Sequence, residues 1–204
     1  MKKILSVMLM LSICLSFAAC GGKEQSADVE DQPSAPAEAQ ETETYLLPKS
    51  YWDYAGSTLE EAAESFRKLG SDYYTDVKVT DEGVQLELTE KQRDKLIERN
   101  DEYSSQIAEE FMSYSEEYRF EPDESYQNVN LYFDEKLPPT TNIKAVFMLT
   151  AGYGMNYILK NNTTEWSVRF TIYNCHTGKP VVSASIPDEE ATCGPEEWKA
   201  SYQE

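Results

Sequence analysis

The stretch Trp166–Ile186, WSVRFTIYNCHTGKPVVSASI, decides the fold. Trp166, Val168, Phe170 and Ile172 alternate with Ser167, Arg169, Thr171 and Tyr173. That period of two puts successive side chains on opposite faces of a strand. A turn through Thr177-Gly178 leads into a second strand, Val181 to Ile186. A hairpin with one apolar and one wet face belongs in a mostly antiparallel sheet, and its apolar side needs a cover.

Upstream the same alternation recurs. Tyr74 to Thr80 and Val84 to Thr89 flank Asp81-Glu82-Gly83, and Val129, Leu131 and Phe133 alternate with Asn130, Tyr132 and Asp134. The cover comes from three segments with helical spacing. The first opens at Ser57, with Glu60 as its capping-box partner, a stripe of Leu59, Ala62, Ala63 and Phe66, and Gly70 at its end. The second is capped by Thr89 with Gln92 and runs to about Tyr118 on Leu96, Ile97, Ile107, Ala108 and Phe111. Glu121-Pro122-Asp123 ends that pattern. The third is Thr140 to Lys160, where Thr141 or Asn142 caps and Gly152 and Gly154 allow close approach to the sheet. The order α-ββ-α-β-α-ββ predicts an α+β two-layer sandwich, a mostly antiparallel sheet of about five strands with helices on one face.

The first residues address location. Lys2 and Lys3 precede an apolar run from Ile4 to Ala19, the layout of a secretory signal. The run falls short of the roughly 20 apolar residues that span a bilayer. Phe17-Ala18-Ala19-Cys20 resembles the lipobox of bacterial lipoproteins, and the Cys20-Gly21-Gly22 start looks most like the Gram-positive type. The resemblance implies a signal peptide over 1–19, a diacylglyceryl thioether on Cys20 and a cell-membrane location facing the extracytoplasmic side. Two acyl chains pass the threshold for stable anchoring that one does not. A plain secretory signal cut near Ala19, with Cys20 incidental, is the other reading.

Gly21 to Thr44 has no aromatic residue and is rich in Glu, Gln, Ala, Ser and Pro, so 20–44 reads as a lipidated acidic tether. Its mean reach is roughly 25–30 Å. From Tyr45 to Glu204 there is chain for one domain with one core. Loss of Lys2 and Lys3, with no acid, takes the formal net charge from −19 to −21. Such a chain is repelled by nucleic acid, so the partners to expect are the membrane, through the lipid, and an envelope protein, peptide or glycan.

Chemistry is sparse. Outside the membrane Cys175 and Cys193 can pair as a disulfide, and two free thiols are the alternative. His176 is the single histidine. Neighbours on an extended strand point apart, which places it poorly for a Cys175–His176 nucleophilic pair, and zinc is equally badly served. No catalytic, cofactor or metal set is therefore assigned. Gly152-Tyr153-Gly154 reads as helix packing, and the paired acids read as solvated turn charge. What remains is the wet sheet face: Lys78, Gln85, Glu87, Asn130, Tyr132, Ser167, Arg169, Thr171 and Tyr173. Asn130, Tyr132, Arg169 and Tyr173 form its candidate binding patch. The expected function is a non-catalytic ligand- or partner-binding surface module. An assembly subunit of an envelope complex and a carboxylate-dependent wall hydrolase are the alternatives.

Overall fold

The computed structural model describes residues 41–203. Cys20, the leader and the tether up to residue 40 lie outside the described residues. Among the described residues no helix is long and apolar enough to cross a membrane.

The fold is α+β. Its strands form two sheets rather than the single sheet that alternation suggests. In the first, β1 (Thr42–Pro48), β3 (Gly83–Thr89) and β2 (Asp76–Val79) lie in the order β1-β3-β2, all antiparallel. In the second, β4 (Arg119–Glu121), β5 (Asn128–Phe133), β6 (Val168–Asn174) and β7 (Pro180–Ile186) lie in the order β4-β5-β6-β7. Here β5 and β6 run parallel and the two outer pairings antiparallel. Alternation reports which face a side chain takes and is silent about which strand lies beside it. That is why the faces were legible and the division into sheets was not.

Two strands and two helices extend the expected set. β1 begins inside the segment read as tether, and its Tyr45 and Leu47 are buried opposite Leu86 and Val84. α1 (Lys49–Ala55) follows at once and sinks Tyr51 and Trp52 into the core. It closes with Gly56 in the left-handed region and the Ser57 amide donating to the Trp52 carbonyl. Ser57 is thus consumed by the end of α1. The capping box of α2 (Leu59–Leu69) falls one residue later than expected, on Thr58 and Glu61. α3 (Glu90–Met112) opens on the expected box of Thr89 and Gln92. The short β4 and α5 (Pro195–Ser201) are the other additions.

α4 (Pro139–Asn161) is one continuous helix with Pro139 in its first turn, so neither Thr141 nor Asn142 caps it. Its glycines permit close approach, though not to the sheet alone. A methyl group on Gly154 would lie 2.7 Å from the Trp166 ring, and one on Gly152 would lie 2.7 Å from the Ser104 hydroxyl of α3. The helices form a layer in which α3 and α4 pack together, with α4 reaching β1 of one sheet and β5 and β6 of the other. Val129, Leu131, Phe133, Val168, Phe170 and Ile172 fill the inner face of the second sheet. The Trp198 ring of α5 closes on Phe133 at 5.4 Å.

Between α3 and α4 lies a buried polar network. Asn156, fully buried, donates to Asp101 at 2.8 Å and accepts from Asn100 at 2.8 Å. Asn100 also donates to the Gly152 carbonyl at 2.7 Å, and the Tyr126 hydroxyl donates to Asp101 at 2.7 Å. Each of the four side chains in this set is hydrogen-bonded, which fixes the register of the two helices.

Candidate functional site

The outer face of the second sheet brings together the whole expected patch. Tyr132 and Tyr173 are direct partners across the parallel pair, Asn130 faces Thr171, and Asn128 faces Arg169. Cβ atoms at such positions lie about 5 Å apart, so the side chains must interact. The two tyrosine rings stack at 4.6 Å between centroids with 13° between planes. Arg119, opposite Tyr132 on β4, lays its guanidinium 3.7 Å over the other face of that ring. The Tyr132 hydroxyl donates to Glu121 at 3.0 Å; burial first, then this carboxylate, pushes its pKa up. Arg169 donates to the Ser183 hydroxyl at 3.1 Å, and Ser183 meets Thr171 at 3.0 Å.

The result is a rigid row, Arg119–Tyr132–Tyr173, standing across three strands. Both broad faces of Tyr132 are taken, so the row turns ring edges and hydroxyls outward and offers no open Tyr132 face for a sugar to stack on. Asn130, Tyr132 and Tyr173 are half-buried and Arg169 is exposed. Arg119 and Glu121 escaped the sequence reading because a three-residue strand is too short to show a period. Lys78, Gln85 and Glu87, expected on the same face, belong to the first sheet. There Lys78 pairs with Asp76 at 2.8 Å, and Glu87 accepts from Gln85 and Thr44.

Two residues beyond the row, at the carboxyl ends of β5 and β6, lies a second constellation. Asp134, 5% exposed, follows β5; Cys175 and His176 follow β6; Glu117 precedes β4. Asp134 is positioned by the Tyr118 hydroxyl at 2.6 Å and the Lys136 amide at 3.0 Å, and its other oxygen meets His176 Nε2 at 3.2 Å. Burial alone would push the Asp134 carboxyl up, but these hydrogen bonds outweigh it and hold it low. His176 Nδ1 faces Glu117 at 3.1 Å. The Tyr202 ring lies alongside the imidazole, its hydroxyl tied to Glu135 at 2.6 Å.

Two expectations change here. Cys175 and His176 do come together. β6 ends at Asn174, so the rule of opposite faces no longer governs the pair, and each contributes a ligand atom to a set with Glu117 spanning no more than 4.8 Å. The expected Cys175–Cys193 disulfide is not formed, and among the described residues neither thiol has a disulfide partner. Their surroundings are disjoint: Cys175 sits among Asp134 and Glu117, Cys193 beside Glu197 and Trp198. Burial, reinforced by the Asp134 and Glu117 charges, pushes the Cys175 thiol up, the opposite of what a nucleophilic thiolate needs.

Paired-carboxylate hydrolysis needs one acid with a raised pKa. Among the described residues every shifted carboxyl (Glu61, Asp72, Asp76, Asp123, Asp134 and Glu135) is shifted down. An open, charged groove lies between Glu41–Glu43 and Thr89–Arg93. No protein-family model, curated protein or solved structure matches the chain.

Proposed function

We propose that this chain is a lipid-anchored extracytoplasmic protein. Its α+β domain is a non-catalytic docking module that receives a folded envelope protein on the outer face of the β4-β5-β6-β7 sheet. The observation that carries the reading is the Arg119–Tyr132–Tyr173 row. Tyrosine and arginine dominate binding hot spots because they bury much surface for little lost freedom. Here they are already immobilised by stacking, which lowers the ordering cost of association. A broad, flat face suits another protein surface, whereas small ligands are held in enclosed apolar cavities. The two arginines, in a chain of net charge −19, favour a partner with an acidic contact patch.

The test places a photo-crosslinking amino acid at Asn130 or Arg169, and at Lys78 on the other sheet as a control, in the full chain in its native membrane. The expected result is one discrete protein adduct from the first two positions, lost with Tyr132→Ser plus Tyr173→Ser, and none from Lys78. No adduct, equal labelling of both sheets, or retention on protein-free wall glycan instead would overturn the reading. Mass spectrometry of the same material tests the anchor: a diacylglyceryl-modified Cys20 at the mature N-terminus is expected, and a bare terminus at another residue refutes it.

A further inference from the structure

We infer that Cys175, His176 and Glu117 form a binding site for a borderline-soft divalent cation of the zinc class, with Asp134 orienting the imidazole. The inference is independent of the docking reading.

The donor set is one sulfur, one imidazole nitrogen and one carboxylate oxygen, the combination zinc prefers over magnesium or calcium. One ligand atom from each lies within 4.8 Å of the others. Zinc bonds of 2.0–2.3 Å in tetrahedral array place donors about 3.3–3.8 Å apart. Side-chain movement of about 1 Å therefore closes the set. Glu117 is at the exposed surface, with room for its side chain to adjust, while Cys175 and His176 follow the strand end.

The strongest support comes from the far side of the ring. A metal-binding histidine nearly always presents its other nitrogen to a carboxylate or carbonyl that fixes its orientation. His176 does this: Nε2 meets Asp134 at 3.2 Å while Nδ1 looks toward Glu117 at 3.1 Å. Asp134 is itself buried and held by Tyr118 and the Lys136 amide, so the orienting group cannot swing away. Around the set, the carboxylates of Glu117 and Asp134 face the Lys136 ammonium, 3.7 Å from Asp134, and the charge of Arg119, which reaches Cys175. On binding, the thiol gives its proton to solvent and the sulfur bonds to the metal; nothing is oxidised or reduced. The three side chains leave a fourth position for water or a partner's group.

The test is titration of the full chain with Zn²⁺ in competition with a chromophoric chelator, and with Co²⁺, whose thiolate charge-transfer band reports sulfur ligation. One equivalent is expected, with the band lost in Cys175→Ser and kept in Cys193→Ser. Asp134→Asn, which removes no ligand, should weaken Zn²⁺ by 10–100-fold. Glu117→Gln, at an exposed position, should also weaken it and serves if Asp134→Asn does not fold. Zn²⁺ should raise the melting temperature of the wild type and not that of Cys175→Ser. A missing charge-transfer band, a band that follows Cys193, or equal Zn²⁺ affinity in Cys175→Ser and wild type would overturn the site.

Discussion

Asp123 sits in the turn that launches β5, and its carboxylate accepts five hydrogen bonds: from the Ser125 amide at 3.0 Å and hydroxyl at 2.7 Å, the Gln127 amide at 3.1 Å, and the Asn128 amide and side chain, both at 2.8 Å. Burial alone would raise its pKa, but these donors outweigh burial and bring it down to about 2. The unfolded chain has an aspartate near 3.9, so the difference approaches two units, or about 2 kcal/mol after screening at this half-exposed position. The sign follows from the direction. Stability from a lowered carboxyl is fully present above the unfolded pKa and is lost as pH falls through the folded one. Asp123→Asn removes the charge to which all five donors point and, with its one oxygen kept on the four donors that share Oδ2, sets an amide NH₂ against the Ser125 amide. The variant should be less stable than wild type by about 2 kcal/mol at pH 7. That gap should shrink below about pH 5, be mostly gone near pH 2, where the native carboxyl is half protonated, and vanish only toward pH 1. Urea unfolding followed by tryptophan fluorescence, at each pH for both proteins, cancels the background titration of the other acids. A gap that stays constant from pH 7 to pH 2 would refute the reasoning.

Two further outcomes concern the helix pair behind the site. Asn156→Ala removes both of its hydrogen bonds, one to a carboxylate, and should cost about 3–4 kcal/mol, lowering the melting temperature by about 10 °C; a calorimetric shift under 3 °C would contradict the network's role. Ser104 points the other way, because its buried hydroxyl has no partner. Ser104→Ala should stabilise by about 0.5–1 kcal/mol through helix propensity and relief of desolvation, and denaturant unfolding that shows a loss would reveal a bond that the geometry lacks.

What the chain reveals locally it reveals well. Thr89 with Gln92 marked a helix start because both partners of the box lie within one turn, and the alternation through Leu131 and Ile172 marked the buried face of each strand. Ser57 misled because its amide was already committed to the end of a helix that begins with no side-chain cap. The candidate patch was half legible. Tyr132 and Tyr173 read as sharing a face, but their contact depends on a parallel pairing across the whole of α4, which no local pattern encodes. Asp134 reads as turn charge from its neighbours in sequence, since its decisive partner His176 lies 42 residues away. Long-range pairing, not residue type, is what the sequence hides.

That pairing ties the two candidate functions together. Because β5 and β6 run parallel, their carboxyl ends lie side by side, and antiparallel β4 begins at the same end. Glu117, Asp134 and the Cys175-His176 turn arrive there from three separate segments. α5 then locks the turn: Asn174 donates to the buried Ser201 hydroxyl at 2.8 Å, and Thr177 donates to the Ser201 carbonyl at 3.0 Å. The register that sets Tyr132 against Tyr173 also sets Asp134, two residues on, beside Cys175. A slip of one residue would turn the tyrosine row inward and carry Asp134 away from His176. A partner seated on the row would therefore lie beside Glu117 and Cys175, and occupancy of one candidate surface should be felt by the other.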